Sequence, residues 1–341
     1  MNRNSTGIVI ARFLEVLGIF LLSRIFWEIT KPYLIGRFGM TGNILSWCLF
    51  GIFCITAGFA IRKLKGGWKP GDVGIKLHRG FLKDIWYGLV VFAMLYFVMI
   101  PFIIALMPLF TDMFLNNLGS YIEQPMLPGL LKMSALIFTI GFFTGAFHEE
   151  IRYRGYMQGV LTKDIAPAFG FFISMIVFSL HHYYSHPEWS LLQVANTIPA
   201  GIAFCLSYYA TGSILVPLTM HALGNFIPVL PPYFAAKGFT ILPYGVIAGI
   251  AVLFMVVIYL GRNEAKHFLI KSKELFAISG LKNSLAAAFL GFVFLIGYHE
   301  IMNIGERFSL ENTTYYILLT VISAACIGLS FLRKENVNKR Y

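Results

Sequence analysis

Charge is scarce in this sequence. Aspartate, glutamate, lysine and arginine together make up 13% of its 341 residues, where a soluble globular domain carries roughly 25%. With 57% hydrophobic residues and a mean hydropathy of +0.72, the chain is excluded from the ordinary soluble class and reads as a polytopic membrane protein. Cysteine is also rare. Cys48, Cys54, Cys205 and Cys326 lie inside apolar runs, with neither CxxC nor metal-ligand spacing, so a disulfide scaffold is excluded and the thiols read as small buried hydrophobes. Acidic residues number 16 against 27 basic ones, a net charge of +11. In a soluble domain that excess would suggest nucleic acid. Here the basic residues gather in short segments between apolar runs, so the expected partner is the anionic inner leaflet of the bilayer and nucleic acid is not one.

No repeat of fixed period and no low-complexity tract is evident. The first apolar run has no clean small-residue cleavage site and is expected to be retained as a span. The C-terminal residues Asn338–Tyr341 carry no prenylation signal, so the chain is not itself a lipidated substrate. Aromatic residues, at 16%, suit lipid-facing surfaces and interfacial belts.

Apolar runs of bilayer-spanning length predict an all-α, polytopic membrane helix bundle of about ten transmembrane helices. They are Gly7–Ile29, Asn43–Ile61, Trp86–Phe110, Met133–Leu161, Ala166–Tyr184, Leu191–Ala210, Ser213–Tyr233, Phe239–Leu260, Ser284–Tyr298 and Thr314–Leu332. Arg12 and Glu15 interrupt the first run at a spacing that lets them pair. The turn-rich stretch Gly66–His78 is expected to be a loop. Lysine and arginine collect in Arg62–Lys83, in Arg262–Lys282 and in the tail beyond Arg333, which places these three segments and both termini in the cytoplasm; Lys31 and Arg37 are exceptions. The expected organisation is one membrane domain: N-terminal helices over 1–132, a core of four helices carrying the site over 133–233, and C-terminal helices with a basic tail over 234–341.

The chain is organised around Phe147-His148-Glu149-Glu150-Ile151-Arg152-Tyr153-Arg154, where a long apolar run meets two adjacent carboxylates without a helix breaker. An ionisable group at membrane depth costs several kcal/mol, so it marks a functional site and needs partners. Glu150 and Arg154 are four residues apart and can pair on one helix face, with Glu149 rotated about 100° away. Arg152 reads as a side chain snorkelling to the interface. Two further apolar helices carry polar residues one turn apart: Phe178 with His182, and His221 with Asn225. Counted from a turn near Lys163–Ala166, Glu149 and His182 both lie roughly 23 to 27 Å along their helices and can face each other. His221 lies only about 14 Å beyond a turn near Thr211–Gly212, so its helix must be tilted or staggered, and a kink at Pro217 could supply this. His148-Glu149-Glu150-Ile151-Arg152 has arginine where the HExxH zinc helix needs its second histidine. Two histidines and a carboxylate, Glu149, His182 and His221, could still hold zinc with an open water position. His78, His267 and His299 are assigned no role.

In order along the chain, Glu149-Glu150 with Arg154, Phe178 with His182, and His221 with Asn225 resemble the EExxxR, FxxxH and HxxxN motifs of the CPBP group of intramembrane proteases. That group includes CAAX prenyl endopeptidases of the Ras-converting type and proteins of bacteriocin processing and immunity. The resemblance covers about one hundred residues, Met133 to Tyr233. It implies an intramembrane endopeptidase in which Glu149 activates a water and His182 helps to hold it. His221 and Asn225 would stabilise the oxyanion, with Glu150, Arg154 and Phe178 in support. A zinc-dependent and a metal-free glutamate mechanism are both compatible with these residues. The implied substrates are a prenylated CAAX protein processed at its C-terminus or a membrane-proximal peptide, and the implied location is a multi-pass position in a bacterial cell membrane. Two other readings stand beside it: a non-enzymatic immunity or scaffold protein that keeps the fold, and a proton-coupled transporter, against which no inverted repeat is seen.

Overall fold

The computed structural model describes residues 3–65, 80–117, 120, 123–185, 191–308 and 311–331. The expected Gly66–His78 loop and the basic tail beyond Phe331 lie outside the described residues, which contain helices and no strand. Lipid offers a backbone no hydrogen-bond partners, so a chain this apolar must satisfy its amides within helices. The elements are α1 (Arg3–Leu64), α2 (Phe81–Asn117), α3 (Met126–Asp164), α4 (Pro167–Ser185), α5 (Leu191–Thr211), α6 (Leu215–Phe226), α7 (Leu230–Ala236), α8 (Leu242–Leu260), α9 (Arg262–Met302), the single turn α10 (Ile304–Arg307) and α11 (Asn312–Phe331).

Among the described residues, seven helices are long and apolar enough to cross a membrane, rather than ten. Each difference has a local cause. The first two expected spans are the arms of α1, which bends at Gly39 (φ 55°), in the left-handed region that glycine enters at no steric cost. The arms lie side by side, with Phe26 stacked on Phe53 at 4.2 Å between ring centres and Trp27 against Trp47 at 4.5 Å. The expected span Ala166–Tyr184 becomes the shorter apolar helix of Pro167–Tyr183. Ser213–Tyr233 is broken after Phe226 by a 3₁₀ turn over Ile227–Val229, where Pro228 and then Pro231 and Pro232 interrupt the α-helical bonding. The basic segment Arg262–Lys282 is helical, forming the first half of α9, which bends at Gly280 (φ 63°) before its apolar half.

One end of the bundle is closed by a buried charge cluster. Arg12 pairs with Glu15 at 2.8 Å, as their spacing predicts, and its Nε meets Asp164 Oδ2 at 2.6 Å. Lys65 donates to Glu15 Oε2 at 2.8 Å and to Ser330 Oγ at 2.6 Å, Arg62 pairs with Asp164, and Tyr156 donates to Glu15 Oε1 at 3.3 Å. Three cations and two carboxylates thus join both arms of α1 to the ends of α3 and α11. The same cluster sets the level at which α3 enters the bundle. Between this end and the site, α1 approaches the backbone of α3 so closely that a Cβ on Gly51 would stand 2.9 Å from the Cα of His148.

Glu15 is the carboxylate shared by Arg12, Arg62 and Lys65, and it is fully buried. Glu15→Ala therefore leaves Lys65 without a carboxylate and Arg12 and Arg62 sharing Asp164 alone, a loss of about 3–5 kcal/mol. Thermal unfolding in detergent should show a large fall in midpoint for this variant and none for Lys271→Ala, whose pair with Glu274 is solvent-exposed.

Candidate active site

α3 departs from regular helix where it carries its carboxylates. Residues Gly141–Phe147 and Ile151–Gln158 are π-helical, and the α-helical turn His148–Glu150 lies between them. π-helix accounts for well under 1% of residues in proteins and occurs mostly at functional sites. The wider turns change which side chains share a face along α3, while Glu149 and Glu150 themselves stay in the α-helical turn. Glu149 and Glu150 both reach the same histidine.

That histidine is His221, in α6. Its Nδ1 donates to Glu150 Oε1 at 2.7 Å, and its Nε2 lies 3.8 Å from Glu149 Oε2. Arg154 Nη1 donates to the same Glu150 oxygen at 3.0 Å, as the four-residue spacing predicts. That oxygen already accepts from a guanidinium, so its contact with Nδ1 is made with the proton on the imidazole. The result is a buried chain from Arg154 through Glu150 to His221, ending at Glu149.

Aromatic rings hold this chain in place. His221 stacks on Phe204 with ring centres 5.0 Å apart and meets Phe178 edge-on at 5.7 Å. The guanidinium of Arg154 sits 4.0 Å above the Phe178 ring, and His182 packs edge-on against it at 5.2 Å. His182 Nδ1 donates to the Phe178 carbonyl at 2.9 Å, which leaves Nε2 as its acceptor in the neutral ring. Asn225 donates through Nδ2 to Gly141 O at 2.9 Å, inside the first π-helical stretch. Gly145 makes room for that amide, since a Cβ there would stand 2.9 Å from Nδ2.

Pro217 is not a kink. It is the third residue of α6, within the first turn, where its missing amide hydrogen costs nothing. The height that His221 needs comes partly from the link 212–214, which is not helical. Extended chain covers up to about 3.3 Å per residue against 1.5 Å in a helix.

Glu149, His182, His221 and Asn225 all line one cavity of about 1100 Å³. His182, His221 and Asn225 also border a second cavity of about 230 Å³, whose wall is largely apolar and includes Leu95, Met99 and Phe204. Among the described residues no group of three or more His, Cys, Asp or Glu side chains is placed to hold a metal ion. Glu149, His182 and His221 do not close into such a group, and a metalloprotease gains no support from them.

Three features of the site escape a reading of motifs. His148 is buried against Trp47 and Phe50, with Nε2 4.0 Å from Glu149 Oε1. Arg152 does not snorkel. It is 3% exposed, lines the large cavity and has no carboxylate partner within ion-pair distance among the described residues; its guanidinium lies 4.0 Å from the Phe50 ring centre and 4.8 Å from that of Phe20. Desolvated cation–π contacts of this kind are worth about 2 kcal/mol, which offsets part of the cost of burying the charge. His299 bonds His181 at 3.0 Å on the wall of the same cavity, although the sequence assigns it no role. The only advance signal for these three was their place beside or opposite the two glutamates.

The family model for type II CAAX prenyl endopeptidases, Rce1-like, matches residues 131–227. The chain carries an Rce1-like core. This segment contains every residue from Glu149 to Asn225 described above, and it supports a protease at that general level. No curated protein and no solved structure gives a significant match. The Rce1-like core and the seven apolar helices make the chain an integral membrane protein.

The packing of Asn225 on the Rce1-like core is open to a direct check. Gly145→Ala places a methyl group against the Asn225 amide and should break its bond to Gly141 O, lowering the unfolding midpoint in detergent. Gly249→Ala, where no atom lies within 4 Å of the added carbon, should leave the midpoint unchanged or raised.

Proposed function

We propose that the protein is an intramembrane endopeptidase in which Glu149 is the general base for water. The observation that carries this reading is the seat of His221 between two carboxylates, one committed to Arg154 and one open to a large cavity. Glu149 takes a proton from a water as the water oxygen attacks the peptide carbonyl, and later delivers it to the departing amine. His182, with Nδ1 bound to Phe178 O, turns Nε2 to the attacking water.

His221 serves the oxyanion. Glu150 holds Nδ1, and Arg154 holds Glu150, so Nε2 is turned to the cavity, where it donates to the developing charge when it carries a proton. Asn225 offers the amide hydrogen not engaged by Gly141. A donor of this kind is worth about 2.7–4 kcal/mol of barrier. The apolar side cavity shares His182, His221 and Asn225 with the main one, so it suits an apolar side chain next to the scissile bond. The substrate class is therefore a membrane-proximal peptide. C-terminal processing of a prenylated CAAX protein is the alternative that the family description suggests. No step requires a metal.

Purified protein in detergent, offered a pool of fluorogenic apolar peptides, should show turnover that falls by about 10²–10⁴-fold in Glu149→Gln. Glu150→Gln should lose less, because it removes the support of His221 and leaves the base. Turnover in Glu149→Gln equal to that of the wild type would overturn the assignment.

A further inference from the structure

The two ends of the bundle differ in charge, and among the described residues the cavity that holds the site reaches exposed residues at one of them. Lys65 contacts Glu15 and Ser330, Arg62 contacts Asp164, and Tyr87 near the start of α2 bonds His267 near the start of α9 at 3.0 Å. These contacts bring to one end Arg62 and Lys65 at the end of α1, the basic first half of α9 and the last turn of α11. By the distribution of lysine and arginine, this end faces the cytoplasm.

The candidate site lies toward the other end. Glu149 is fifteen residues upstream of Asp164 on α3, roughly 20 Å along a helix. Its cavity continues past His181 and His299 to Glu28, Asn303, Glu306 and Asn312, and Asn303, Glu306 and Asn312 are exposed. They sit at the α9–α10–α11 junction, the end of α9 remote from its basic half and the end of α11 remote from Ser330. Around this mouth Glu28, Glu300, Glu306 and Glu311 stand beside Arg24, Lys31 and Arg307, so lysine and arginine are not in the excess they show at the other end.

We infer that the site is entered from the extracytoplasmic face, and that its substrates are polypeptide segments exposed at that face of the membrane. A prenylated tail seated in the cytoplasmic leaflet would meet the closed, charge-clamped end instead. The direction of entry is a property of the fold, and only the word substrate rests on the hydrolytic reading above.

Labelling of the full chain in intact cells with a charged, membrane-impermeant thiol reagent tests this without any need for turnover. Asn303→Cys, at the mouth, and Thr144→Cys, on the cavity wall beside Glu149, should both react before permeabilisation, Thr144→Cys more slowly. Lys273→Cys, exposed on the basic half of α9, should react only after it, and the unsubstituted chain gives the background of the native thiols. The opposite pattern, with Lys273→Cys reactive in intact cells, would overturn the inference, as would a Thr144→Cys that reacts only after permeabilisation or not at all. Failure of the hydrolytic reading would leave these labelling patterns unchanged.

Discussion

Glu150 stands fully buried in an apolar bundle, and most of the site follows from how its charge is met. Arg154 neutralises it from one turn along α3, while His221 donates to the same oxygen from α6. A lone carboxylate there would be too costly, and a carboxylate paired only with arginine would be inert. The third member turns the pair into a device that holds an imidazole in one orientation, with its free nitrogen beside Glu149. Phe178 and Phe204 then fix the ring by stacking and edge contacts, and Arg154 lies over Phe178.

The same logic operates at the opposite end in a different way. There Arg12, Arg62 and Lys65 surround Glu15 and Asp164, so that charge is paired to close the bundle and to set the level of α3. Charge at the site end is left partly unmatched. Arg152 is cushioned by rings and, among the described residues, has no carboxylate in ion-pair contact, and Glu149 keeps one edge toward a cavity. One cluster holds the helices and the other leaves its groups available, which is the expected division between a structural and a functional use of ionisable residues in a membrane protein.

Much of this was legible in advance. The pairs Arg12 with Glu15 and Glu150 with Arg154 follow from helical spacing, because both partners ride on one helix. The meeting of Glu149, His182, His221 and Asn225 at one cavity could be anticipated from motif order and helix length. The π-helical stretches on either side of His148–Glu150 could not, nor could the reach of two adjacent glutamates to the two ring nitrogens of His221. The bend at Gly39, the buried fate of Arg152 and the bond between His181 and His299 were equally hidden, since each depends on what another helix places opposite.

Composition and the order of apolar runs determined by themselves that this chain is an all-helical membrane protein with a few ionisable residues set inside its apolar core helices. Those properties are local, set by what a stretch of about twenty residues can bury in lipid. Only the tertiary structure decided that Glu150 orients His221 across 71 residues of chain, that Arg12, Arg62 and Lys65 share two carboxylates, and that one cavity runs from Glu149 to Asn303 and Glu306. Those are matters of register and facing between helices, which depend on bends, π-helical turns and ring contacts that no single segment encodes.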